Sequence, residues 1–208
     1  TVGFVSADLR WHSVSYFVEA VFRNYDRDAL RVVAYSDAKR PDSRTEAFRG
    51  LVDDWRDTGR WSEDRLIEQI DADAVDILVD LCGHTENNRL AVFARRAAPV
   101  QVSWLGYPNT TGLEAMDYRI SDSVVEPPGA ADAYSLERIV RLPRGFHCFT
   151  PHPDTPEVAA LPALRNGGVT LGSFNHLPKV TEGAARTWIR ILQEVEDARL
   201  FCKSLSFS

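Results

Sequence analysis

The sequence predicts an α/β fold, a doubly wound parallel sheet followed by the truncated start of a second sheet, on three observations. Short apolar runs alternate with helix-length amphipathic segments through the first 148 positions. A proline-bearing stretch, Phe149 to Asn166, then breaks that rhythm. After it the alternation restarts and runs to the end of the chain. Strands separated by helices of this length form right-handed crossovers and hence parallel sheets.

Each element follows from its residues. "VGFVSAD" is a short buried strand. In "SYFVEAVFR" (15–23), Phe17, Val18, Val21 and Phe22 recur at helical spacing on one face. "LRVVAYS" is the second strand, and Arg44 to Val52 a helix. Ser62 precedes a helix in which Leu66, Ile67 and Ile70 turn inward. "VDILVDL" (75–81) is apolar apart from two aspartates, as a strand covered on both faces must be. Arg89 to Arg96 is helical, and "VQVSWLG", "MDYRIS" and "RIVRLP" are three further strands. "FTPHPDTPEVAALPALRN" (149–166) holds four prolines and reads as a linker. Strand Val169–Phe174, helix Thr181–Val195 and strand Ala198–Cys202 begin the second domain, 167–208. The first domain, 1–148, is Rossmann-like.

Composition narrows the function. A net charge of −6 and a pI near 5.4 argue against broad nucleic-acid affinity, which needs a basic face. Cys82, Cys148 and Cys202 are odd in number and lack CxxC spacing, so neither a zinc site nor a disulfide framework is expected. No run reaches the roughly 18 apolar residues of a membrane span. The chain opens on a strand rather than a signal peptide, and these features together point to the cytoplasm. Thr1 in place of Met suggests a segment of a longer protein.

In open α/β sheets ligands collect beyond the carboxyl ends of the strands. The loops expected there are polar and carry glycine or histidine: "ADLRWHSVS" with His12, "CGHTENNR" with Gly83, His84 and Thr85, "LGYPNTTG" (105–112), and "NHLPK" with His176 and Lys179. Each admits a plain structural reading. His12 and His84 can cap helices, Gly83 can serve a positive φ, and "GYPNTTG" can be turn chemistry alone. Lys179 is harder to explain so, because a cation at a helix start opposes the dipole unless an anion is present. The "DAD" at Asp71–Asp73 falls before a strand rather than after one and reads as solvated charge. Trp55, Trp61 and Trp188 read as packing, and the cysteines as core or near-core.

Taken in order, "GFVSADLRWHSVSYF", "DILVDLCGHTENNRLAVFARRAAPVQVSWLGYPNTTGLEAMDYRISD", "YSLERIVRLP" and "SFNHLPKVT" resemble the catalytic region of the protein O-linked N-acetylglucosamine transferases (GT41), with their bacterial and Spindly-like homologues. The resemblance runs from Val2 to about Phe201 and is most specific from Asp76 to Asp122. It implies a GT-B fold, two Rossmann-like domains facing across a cleft, with the nucleotide sugar held mainly by the second. It implies inverting, metal-independent transfer of N-acetylglucosamine from UDP-GlcNAc to Ser or Thr hydroxyls of protein acceptors, with no cofactor beyond the donor. Tetratricopeptide repeats would lie upstream.

By the same resemblance His12 matches the active-site histidine, close to the sugar and diphosphate. Thr85, Gly106 and Pro108 match positions lining the sugar pocket. Lys179 matches the lysine on the diphosphate, and His176 stands where the family has a polar amide. Ser13 replaces a proline common after the histidine. These departures leave donor choice open. The rivals are O-fucosyl transfer from GDP-fucose as in Spindly-type relatives, an inactive fragment acting as an interaction module, and a single flavodoxin-like domain with a phosphorylated effector.

Overall fold

A computed structural model describes residues 1–151 and 154–204. The last four positions of the expected second domain and two of the expected linker therefore lie outside the described residues. The chain divides into two compact units, Thr1–Pro151 and His152–Ser208.

The first unit holds seven strands: β1 (Val2–Ser6), β2 (Val32–Ser36), β3 (Asp54–Asp57), β4 (Ile77–Asp80), β5 (Val100–Trp104), β6 (Tyr118–Asp122) and β7 (Arg138–Leu142). They form one sheet in the order β3-β2-β1-β4-β5-β6-β7, every pair parallel. The order runs outward from β1 in one direction, then reverses at β4. That reversal is the topological switch point of a doubly wound sheet, the place where such sheets collect ligands.

Alternation along the strands sends side chains to two cores. Phe4, Val32, Ala34 and Val79 join one cluster with Val14, Val18 and Phe22 of α1 (Ser13–Asn24) and Phe48 of α2 (Ser43–Arg49). Val5, Val33, Tyr35 and Leu78 join the other with Leu66 and Ile70 of α3 (Glu63–Ala72) and Leu90 and Phe93 of α4 (Leu90–Ala94). The helix starts are built from their own residues. Asp42 and Thr45 form a reciprocal capping box at α2, and Ser62 Oγ accepts from Arg65 N–H at α3.

Two features of the first unit depart from expectation. β3 was not expected, because "DWRD" has no apolar run; at the sheet edge, paired on one side only with β2, it does not need one. Asp73 is not solvated charge. It is buried at the end of α3, 2.7 Å from the Arg56 guanidinium, and accepts from the Tyr35 hydroxyl at 2.8 Å. Burial opposes its ionisation, but Arg56 and Tyr35 hold its carboxyl below the usual range.

In the second unit, β8 (Thr170–Ser173) and β9 (Arg199–Cys202) pair in parallel, joined through α6 (Glu182–Glu194). Thr181 caps α6, accepting from Ala184 N–H at 3.2 Å. Part of the stretch read as linker is ordered: Pro162–Asn166 forms a short helix, α5, closed by Gly167 at φ 72°. No described residue of this unit is buried, and Leu164, Phe174 and Phe201 are well exposed. Cys202 is exposed too, against the expectation that the cysteines are core or near-core; Cys82 is buried and Cys148 half-buried.

Candidate active site

The loops after β1 and β4 meet at the switch point. Ala7 N–H lies 3.4 Å from Cys82 Sγ, and Ser6 Oγ lies 3.7 Å from the same sulfur. Burial, then the neighbouring Asp80, pushes the Cys82 thiol up to about 12, so it stays protonated and packs. Asp80 is fully buried and accepts from the backbone N–H groups of Cys82 at 3.0 Å and Gly83 at 2.8 Å. Burial outweighs those two donors and pushes its carboxyl up to about 6. Asp80 thus shapes the turn that carries Thr85, whose Oγ1 donates to Cys82 O at 2.8 Å.

His12 is the N-cap of α1. Its Nδ1 lies 3.4 Å from Val14 N and 3.6 Å from Asp8 Oδ2. One nitrogen cannot serve both neighbours at once. Capping uses the Nδ1 lone pair and leaves a neutral ring's proton on Nε2. The Asp8 contact needs Nδ1–H and frees the Nε2 lone pair. The capping reading and the catalytic reading are therefore two tautomers of one residue.

The loop after β5 packs on the loop after β4 through two glycines. A Cβ on Gly106 would stand 1.8 Å from Leu81 O, and one on Gly83, at φ +55°, would stand 2.2 Å from Tyr107 Cβ. Neither position admits a side chain. Leu105, just before, holds φ 77°, a conformation uncommon outside glycine. Pro108 is exposed at the tip.

Sequence reasoning missed what secures this loop. Glu137, buried just before β7, accepts from Thr111 N–H at 2.6 Å, from Thr111 Oγ1, and from Thr110 Oγ1 at 2.7 Å. Burial opposes its charge, but the threonine donors outweigh it and hold the carboxyl below its usual range. His84 does not cap a helix; its Nε2 lies 2.8 Å from Thr111 O, and its ring meets Tyr107 edge-on at 5.2 Å. A lone glutamate before an apolar run carries no sequence signal, because its donors lie 26 and 27 positions away.

In the second unit, His176 caps and Lys179 ends the 3-10 turn Leu177–Lys179 between β8 and α6, and both are exposed. Lys179 has no carboxylate within ion-pair distance among the described residues. Of the amides from Val180 to Ala184, two are already used: Val180 N–H donates to Leu177 O and Ala184 N–H to Thr181 Oγ1. The helix start thus offers an anion fewer donors than the whole run. Among the described residues no group of three His, Cys, Asp or Glu is placed to hold a metal ion. No described helix is long and apolar enough to cross a membrane.

The doubly wound parallel sheet and the second strand-helix-strand unit are those of a GT-B-type α/β fold, and a solved structure agrees. A mutant of Thermobaculum terrenum O-GlcNAc transferase matches 97% of this chain at 42% identity with a TM-score of 0.89; the chain covers 38% of that structure. The Glycosyl transferase family 41 model matches residues 1–152, and the chain belongs to that family. The tomato (Solanum lycopersicum) protein named "Probable UDP-N-acetylglucosamine–peptide N-acetylglucosaminyltransferase SPINDLY" is 46% identical over 99% of this chain. A Caenorhabditis elegans UDP-N-acetylglucosamine–peptide N-acetylglucosaminyltransferase is 32% identical over 70% of it. The chain spans 22% of the tomato protein and 13% of the nematode one.

Proposed function

We propose that the protein containing this chain transfers N-acetylglucosamine from UDP-GlcNAc to Ser or Thr hydroxyls of proteins, with inversion and without a metal. The observation that carries this is the match of 97% of the chain to an O-GlcNAc transferase. The names of the similar plant and animal proteins, peptide N-acetylglucosaminyltransferases each, support this donor over GDP-fucose.

In this reading Lys179 faces the diphosphate and offsets the charge that builds on it as the sugar leaves. His176 and the free amides at the start of α6 add hydrogen-bond donors. Thr85, Gly106 and Pro108 line the sugar, with Asp80 and Glu137 fixing their loops. His12, with Nδ1–H turned to Asp8, has its Nε2 lone pair free to take the hydroxyl proton. The hydroxyl oxygen bonds to the anomeric carbon from the face opposite the leaving phosphate, so an α-linked donor gives a β-linked product. Tetratricopeptide repeats upstream and action in the cytoplasm belong to the same reading.

The test is the stereochemistry of the product from the full-length protein, read by NMR with a chelator present. A β-linked sugar at undiminished rate is expected. An α-linked product, or loss of transfer on chelation, overturns the mechanism.

A further inference from the structure

Most arginines of the first unit are neutralised locally, as Arg89 is by Asp37 and Arg119 by Glu126. Lys39, Arg60 and Arg65 are exceptions that border one cleft. Lys39 follows β2, Arg60 follows β3, and Arg65 lies in the first turn of α3; all three are exposed. Among the described residues none has a carboxylate within ion-pair distance: Lys39 donates only to the amide of Asn87, and Arg65 stacks on Trp61 at 4.3 Å. The carboxylate lining the cleft, Asp57, is already held by Arg49 at 2.8 Å. The cleft measures about 750 Å³. In a chain of net charge −6 such a concentration of unpaired positive charge is a local feature, and it attracts anions.

Its extent indicates which anion. The volume far exceeds one phosphate, and the cations come from separate segments rather than converging on a point. A second cleft of about 250 Å³ shares Lys39 and reaches Asp8 and Arg10, on the loop that carries His12; Arg40 lines it too, as do Glu86 and an Asp37 already held by Arg89. Adjoining at Lys39, the two clefts make a track from the unpaired cations to the loop of the proposed catalytic histidine. We propose that this track binds the acceptor polypeptide, and that Lys39, Arg60 and Arg65 select acceptors with acidic residues flanking the modified hydroxyl. The selection rests on the transfer reading above, whereas the binding does not.

The experiment uses the full-length protein and two fluorescein-labelled serine peptides of equal length, one flanked by Asp and Glu, the other by Asn and Gln. Anisotropy titrations at low salt are compared for wild type and Arg60→Glu/Arg65→Glu, with Arg60→Gln/Arg65→Gln as the milder pair and thermal melts to confirm folding. The acidic peptide is expected to bind wild type about tenfold more tightly than the neutral one, an advantage that salt erodes and charge reversal abolishes. Binding of the neutral peptide and of UDP-GlcNAc stays unchanged. Equal affinity of wild type for the two peptides, or an undiminished preference in both variants, overturns the proposal. So does inorganic phosphate that saturably displaces the acidic peptide at equal ionic strength, which would mark a simple anion site. If instead the transfer reading is wrong, no peptide gains sugar while the binding preference persists.

Discussion

Glu137 satisfies donors of Thr110 and Thr111 from a buried position, so truncating it strands them. Glu137→Ala is expected to cost about 2 kcal/mol and to speed hydrogen exchange at the Thr111 amide. Unchanged exchange there would show that the loop is held by other contacts. Gly106→Ala should be worse, about 3 kcal/mol or loss of folding in a denaturant melt, because the new methyl meets the backbone oxygen of Leu81. Asp80 gives a pH signature. Its folded value of about 6 exceeds the ordinary 3.8, so the folded state holds this proton more tightly than the unfolded chain. Its contribution is intact below about pH 4 and is lost as pH rises through about 6, a change of about 2–3 kcal/mol. Carboxyl NMR should place its midpoint near 6, and Asp80→Asn should remove that component of the unfolding profile; a midpoint near 4 contradicts the burial argument. The sequence pointed to the loop glycines and His12, but not to Asp80 or Glu137. A buried carboxylate is recognised by donors that only the fold brings to it.

At the scale of elements, apolar periodicity was enough where an element buries a face. α1, α3 and α6, with β1, β2, β4 and β5, fall within a few residues of "SYFVEAVFR", the segment after Ser62, Thr181–Val195, "VGFVSAD", "LRVVAYS", "VDILVDL" and "VQVSWLG". It failed where little is buried. β3 relies on edge hydrogen bonds to β2, and α5 forms on Pro162 and Gly167 rather than on an apolar stripe. The same consideration predicts how the second unit behaves. With no described residue buried, β8, α6 and β9 lack the apolar burial that protects backbone hydrogen bonds. In this chain, exchange along Thr170–Cys202 should be far faster than in β1 or β4, and the exposed Leu164, Phe174 and Phe201 should promote concentration-dependent association. Uniform protection through Cys202 in a monomer would refute this.

At the scale of the molecule, the alternation of strand and helix implied a doubly wound sheet before any family likeness entered. The sheet has two cores and a switch point between β1 and β4. Function was legible only through the resemblance, because no residue among His12, Thr85, Lys179 and their neighbours makes a motif that is diagnostic alone. The single-domain flavodoxin-like rival fails on the second parallel sheet. We propose that this chain belongs to an enzyme that moves a sugar from a nucleoside diphosphate, with Lys179 on the leaving phosphate. The most direct test offers UDP-GlcNAc and GDP-fucose separately to the full-length protein with a mixed protein acceptor, beside Lys179→Ala. Transfer is expected from UDP-GlcNAc alone, reduced at least about a hundredfold by the substitution. Transfer from GDP-fucose instead, transfer that survives Lys179→Ala, or no transfer from either donor would contradict the proposal.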